Sequence, residues 1–225
     1  MHTEEAEREL ARAAAMDSTY RDPLVDLGSL WFELGMKEEG TRRREDLRKA
    51  RTFLEKAEGL GYRDAAAYER LCEICTETED ARGFLKYAKK NAEQYPYDRQ
   101  YYNLGAAYFG MEDWGEVVKT GREASEKFKE SQYIGAYFRQ MGRAYLKMQR
   151  DQTAERTLTA GVQAVDARQA RVKRSGGGGA TEEYRRLQDD KIGMLLLLRY
   201  LHTTYREAEK LAQVERQLKE AGYTK

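Results

Sequence analysis

A short arrangement of side chains recurs along this chain at intervals of about three dozen residues, and each copy reads as a pair of helices. In Tyr101-Tyr102-Asn103-Leu104-Gly105-Ala106-Ala107-Tyr108, the large residues Tyr101, Leu104 and Tyr108 fall three and four apart on one helical face. Gly105 lies beside them and leaves room for a second helix to approach, which follows with Val117, Gly121 and Ala124 on its inner face. The arrangement returns at Phe138, Met141, Gly142 and Tyr145, followed by Ala154, Leu158 and Gly161. It is present earlier at Leu24, Leu27, Gly28 and Trp31, followed by Ala50, Leu54 and Ala57. A weaker copy runs Tyr68, Leu71, Cys72 and Cys75, then Phe84, Ala88 and Pro96.

The second-helix positions set the period. Ala50 to Phe84 is 34 residues, Phe84 to Val117 is 33 and Val117 to Ala154 is 37. Ala6 to Ala50 is 44, one period plus an insertion around residues 37–48, and Ala154 to Ala208 is 54, with the excess falling where Ser175 precedes Gly176–Gly179. A period near 34 with this residue pattern resembles the tetratricopeptide repeat, a helix–turn–helix unit. The resemblance covers nearly the whole chain and is clearest at 98–131 and 135–168; the last copy, 189–221, has Leu195-Leu196 where the family has a Leu-Gly pair.

The expected architecture is therefore all-α with eleven helices. An N-terminal helix at 1–20, a half repeat or a cap, precedes four repeats over 21–174, a Gly-rich flexible loop at 175–180, and a degenerate repeat with a capping helix pair at 181–225. The resemblance implies a right-handed α-solenoid whose stacked pairs enclose a concave face, acting as a non-catalytic adaptor for a partner protein or peptide.

Composition excludes several other classes. With 2 prolines among 225 residues the chain lacks the turn signals of an all-β fold, and a net charge of +1 is too small for a dedicated nucleic-acid binder. No apolar run is long enough for a membrane span, and no leader pattern is read at Met1, so the expected setting is cytoplasmic. Cys72 and Cys75 make a Cys-x-x-Cys, but the only histidines are His2 and His202, and both cysteines fall at core-facing repeat positions. They are expected to be buried small hydrophobes, with no metal and no cofactor. There is no phosphate-binding glycine loop and no Ser/His/Asp set, so no enzyme is read here. The basic run at 168–174 and Arg42-Arg43-Arg44 are expected at helix ends and in salt-bridged surface helix.

Two places carry functional expectations. In the family the first helix of each pair lines the groove, and its groove-facing positions here sort by charge. Glu69, Glu73 and Glu77 are four apart and make one acidic face; Arg139, Arg143 and Lys147 are likewise four apart and make a basic one. Between them Tyr102 and Phe109, with Ala106 and Gly110, form an aromatic floor, and Asn103 matches the middle asparagine of the family's carboxylate clamp, whose other positions are not matched. A partner peptide is expected over Tyr102, Phe109, Arg139 and Arg143, with acidic groups toward the basic face; the competing reading is that these charges pair within the protein. The second place is Met194-Leu195-Leu196-Leu197-Leu198, apolar all round a helix. It is either covered by neighbouring helices or, through Leu195, Leu197 and Leu198, the surface of a homo-oligomer.

Overall fold

A computed structural model of the chain describes residues 2–17, 20–176 and 181–223. Among these residues the chain forms eleven helices and no strand. They are α1 (His2–Met16), α2 (Asp22–Lys37), α3 (Gly40–Gly59), α4 (Ala65–Glu77), α5 (Ala81–Gln94), α6 (Asp98–Gly110), α7 (Trp114–Lys127), α8 (Ile134–Lys147), α9 (Asp151–Arg174), α10 (Glu182–Thr204) and α11 (Ala208–Glu220). Gly176 ends the turn after α9 at φ +84°, while the remainder of the expected glycine loop, residues 177–180, lies outside the described residues.

The turns inside the pairs repeat as faithfully as the helices. Glu79, Glu112, Gln149 and Arg206 each adopt a left-handed φ of 56–58° just after the first helix of their pair. The next residue opens the second helix, and at two of these turns it is an aspartate that caps it: Asp80 accepts from the Gly83 amide at 2.9 Å and Asp113 from the Glu116 amide at 3.3 Å. No glycine marks these turns in the sequence. The left-handed residue costs about 1 kcal/mol for a non-glycine side chain, a cost that the packed helices on either side offset.

The chain divides into two compact units, residues 1–95 and 96–225. In the first, the backbones of α2 and α4 approach closely while α3 and α5 meet through longer side chains, Tyr87 and Lys90 on Glu55 and Glu58; in the second, α6, α8 and α10 approach closely in series, while α9 and α11 meet through Lys210 and Glu155. Within each unit the first helices of the pairs therefore make the inner layer. The glycines read from the sequence sit where helices meet most closely: a Cβ at Gly28 would lie 2.6 Å from Leu54 Cγ, and one at Gly142 would lie 2.3 Å from Leu158 Cδ2. Leu54 and Leu158 are 2% and 0% exposed, so each pair interlocks through a leucine filling its partner's missing side chain.

The leucine run of α10 follows the first of its two expected readings, cover by neighbouring helices, at Leu195 and Leu198. Leu195 and Leu198 are 0% and 4% exposed, and with Met194, Leu187, Val165 and Leu158 they belong to the core of the second unit. They are core and not a surface because α10 is flanked by α8, α9 and α11, which together cover both of these positions. Leu197 is half-buried against the same core.

Candidate functional site

The inner layer of the second unit is organised around one stack. Ser131 precedes α8 and donates to the Asp98 carboxylate at 2.7 Å, while the Tyr137 hydroxyl donates to the Asp98 carbonyl at 2.7 Å, so the start of α8 is pinned to the first turn of α6. Ser131 Oγ also accepts from the Tyr133 amide at 2.9 Å. Held in this way, the Tyr133 ring stacks on Tyr102 with centroids 5.1 Å apart and planes 20° apart, and the Arg186 guanidinium lies 4.9 Å from the Tyr133 centroid. α6, the entrance to α8, and α10 each supply one layer.

Beside the stack, Arg139 reaches from α8 to α10. Its Nη2 is 3.1 Å from Asp190 Oδ1, and its stem passes over Gly193, where a Cβ would come within 2.9 Å of Arg139 Cδ. Asp190 is 3% exposed and its second oxygen has no hydrogen-bond partner. Burial pushes its carboxyl up to about 6, and the pull of Arg139 and Arg186 does not cancel that push. Gln140 donates from Nε2 to the Tyr102 carbonyl at 3.3 Å, with its amide over Gly105. The space left between these groups is a cavity of about 400 Å³ walled by Arg99, Tyr102, Asn103, Tyr133, Ala136, Arg139, Arg186, Asp189 and Asp190.

Further along the same helices, Phe109 meets Trp114 edge-on at 4.9 Å and the exposed Arg143 places its guanidinium 4.4 Å from the Phe109 centroid. Lys147 is exposed in the last turn of α8. Tyr102, Asn103 and Arg139 thus share one cavity, Phe109 and Arg143 form a separate aromatic–cation pair, and Lys147 stands beyond them. Glu69 and Glu73 belong to α4 of the first unit, where Glu73 is exposed and Glu69 half-buried. Glu77, the last of that acidic row, pairs with Arg43 of α3 at 2.8 Å. Glu77 and Arg139 are therefore answered inside the protein. The sequence reading missed Tyr133, Arg186, Asp189 and Asp190: Tyr133 lies just ahead of its helix, and Arg186 precedes the expected start of the last repeat at 189.

Elsewhere, Cys72 and Cys75 are 3% and 1% exposed, and burial pushes their thiols up to about 12 and about 11, far from the thiolate form that metal or redox chemistry needs. Among the described residues Glu155, His202 and Glu207 bring one ligand atom each within 4.8 Å of one another. Lys210 already occupies this group, with Nζ 2.8 Å from Glu155 and 2.9 Å from Glu207, and His202 Nδ1 is 2.7 Å from Glu207. No described helix is long and apolar enough to cross a membrane.

No family model and no curated protein matches the sequence. Solved structures do match. MamA of Desulfovibrio magneticus RS-1 is 22% identical over 73% of this chain and 86% of its own, with a TM-score of 0.55. YrrB, described as a TPR protein with an unusual peptide-binding site, is 14% identical over 88% of this chain and 97% of its own, with a TM-score of 0.51. A tetratricopeptide repeat protein from Parabacteroides merdae ATCC 43184 is 15% identical over 99% of this chain and 88% of its own, with a TM-score of 0.50. These identities speak for the fold alone, and the fold is that of an all-α tetratricopeptide-like repeat protein.

Proposed function

We propose that this chain is a non-catalytic protein-interaction module whose second unit receives an extended segment of a partner protein along the α6–α8–α10 face. The observation that carries this is the cavity of about 400 Å³ between Tyr102, Tyr133, Arg139 and Arg186. It has an aromatic wall, and two of its guanidiniums are pre-placed, Arg186 by stacking on Tyr133 and Arg139 by its ion pair with Asp190, so little side-chain freedom is lost when a ligand enters. Phe109 and Arg143 extend the surface along α6 and α8 for a second anchor, with Lys147 beyond. The peptide-binding site named for YrrB supports the reading as a precedent on the same fold. Asn103 contributes an amide to the cavity wall; Glu69 and Glu73 would act on a segment reaching the first unit. The burial of Leu195 and Leu198 removes most of the surface on which a self-associating scaffold was expected.

The test is selection of peptides from a displayed random library by the intact protein, followed by affinity measurement on wild type and on the pair Tyr102→Ala, Arg143→Glu. At least a tenfold loss in the pair is expected. Equal affinity for both, with unchanged helicity, would remove the groove from the reading.

A further inference from the structure

The cavity's chemistry says what kind of group it takes, and this deepens the reading above, on which it rests. Its charged wall carries three arginines and two aspartates. Arg186 lies against the Tyr133 ring and pairs through Nη2 with Glu182 at 3.2 Å, an exposed i,i+4 pair of small worth that a ligand oxyanion can replace. Arg139 is held differently. Its partner Asp190 meets it through one oxygen at 3.1 Å, while the other oxygen, buried, accepts no hydrogen bond. A buried carboxylate held on one side only is a poor counter-ion, because the desolvation of the unanswered oxygen works against the ion pair. The protein has placed inside its own cavity the kind of group that Arg139 would meet on a ligand.

We propose that the cavity binds an acidic side chain of the partner peptide on Arg139 and Arg186, in competition with the protein's own Asp190 for Arg139. A ligand oxyanion that takes Arg139 leaves Asp190 without its ion pair in a buried place, and the carboxylate then takes up a proton. Asp190 is poised for this, since burial already brings its carboxyl to about 6. The groups around it are defined on each element packed against it. α10 presents Arg186 and Asp189; α8 presents Arg139 and the Ala136 amide, which also pulls the carboxyl down; α6 adds Arg99 at the cavity wall; and Lys191 of α10 and Asp166 of α9 are paired with each other at 2.5 Å. No histidine is among them, so the change between neutral and mildly acid pH belongs to Asp190. Binding of an anionic peptide is therefore coupled to proton uptake, and affinity rises as the pH falls, by at most tenfold per pH unit near and above 6.

The probe is a positional-scanning library of histidine-free decapeptides, acetylated and amidated at their ends so that side chains carry the only charges. Each position is fixed in turn as Glu, phosphoserine, Gln or Lys. The intact protein is expected to retain pools with fixed Glu or phosphoserine over those with Gln, and the two arms show which oxyanion is preferred. For the best Glu peptide, affinity should rise several-fold from pH 7.5 to 5.5 in wild type and stay flat in Asp190→Asn. Arg139→Gln should cost tenfold or more, and Arg186→Gln somewhat less. A phosphoserine side chain ionises near pH 6 itself, so there the difference between wild type and Asp190→Asn is the reading. Should Asp190→Asn fail to fold, the buffer dependence of the wild-type binding enthalpy reports the same quantity. Uptake of a substantial fraction of one proton at pH 6.5 is expected, and zero overturns the competition. Peptides retained without anionic preference would overturn this inference and leave the groove intact. A pH effect that survives in Asp190→Asn would overturn the role of Asp190, and no retention of any pool would sink the groove itself.

Discussion

The two units are built from the same repeat, but the cations of the second unit's inner layer also rest on aromatic rings, which the named ion pairs of the first do not require. In the first, cations are consumed by carboxylates across helices: Arg51 meets Asp80 at 2.7 Å and Glu55 at 3.0 Å, Arg43 meets Glu77 at 2.8 Å, Lys90 meets Glu58, and the Tyr87 hydroxyl meets Glu55. On the inner layer of the second, Arg143 and Arg186 lie on the aromatic rings of Phe109 and Tyr133, Arg186 with the exposed Glu182 at 3.2 Å besides, and Arg139 has a single buried partner. The carboxyl groups register the difference. The Gly83 amide and Arg51 hold Asp80 below the usual carboxylate range; Glu55 is also held low, because its bonds from Tyr87 and Arg51 outweigh the burial that would raise it. Asp190 is pushed the other way. The same repeat thus ties its cations to acids in one unit and rests Arg143 and Arg186 on rings in the other.

The comparison can be broken most sharply at the interlocking leucines that the two units share. Leu54→Ala and Leu158→Ala should each cost ~2–5 kcal/mol by urea denaturation, with amide-exchange protection lost chiefly in the unit that carries the change. A much smaller loss for one of them would mean that its unit does not depend on the leucine-for-glycine fit. The opposed carboxyl shifts give the next effect. Asp190, raised from 3.8 to about 6, contributes stability that is fully present below its unfolded value and is lost as the pH rises through about 6. Its two-unit shift corresponds to roughly 3 kcal/mol at most. Asp80 and Glu55, held low, contribute stability that is present above their unfolded values and lost only as the pH falls through lower ones. From pH 7 to 5 the second unit should therefore gain exchange protection while the first stays level, and Asp190→Asn should abolish the gain.

Next in size is Gly135→Ala. A Cβ there would lie 2.6 Å from Asp190 Cβ and 2.8 Å from Val165 Cγ2, neither of which is a free side-chain end, so the expected cost is ~1–3 kcal/mol with a weakened Arg139–Asp190 pair. Smallest is the surface tie of the first unit: a double-mutant cycle on Arg43→Met and Glu77→Gln should give a coupling of about 0.2–1 kcal/mol that fades in high salt. A coupling several times larger would make this pair a structural strut and the contrast between the units deeper than drawn.

How much of this was legible depended on how local the signal was. Gly28 and Gly142 announce themselves because the large residues around them recur at helical spacing, and the burial of Cys72 and Cys75 follows from their place in that pattern. Tyr102, Phe109, Arg139 and Arg143 are singled out because the resemblance to the tetratricopeptide repeat assigns their positions to the groove, and the structure brings Tyr102 and Arg139 to one cavity and pairs Phe109 with Arg143. Asp190, Arg186 and Tyr133 could not be found in this way. α10 begins at Glu182, inside the expected 181–225 unit but ahead of the repeat pattern read at 189–221, its Leu-Gly signal is absent, and Tyr133 lies outside any helix. The four leucines left two readings open, since an apolar run says that cover is needed, and the structure supplies it from α8, α9 and α11.

The sequence by itself determined the helices, their pairing and the repeat, because spacing along one chain decides which residues share a face and where a missing side chain admits a neighbour. What only the tertiary structure decided is the partner of each charge. Arg139 meets Asp190, and Arg43 meets Glu77, across distances of 51 and 34 residues that no helical period relates to one another. Electrostatic pairing depends on separation in space, and that separation is set only once the helices have packed.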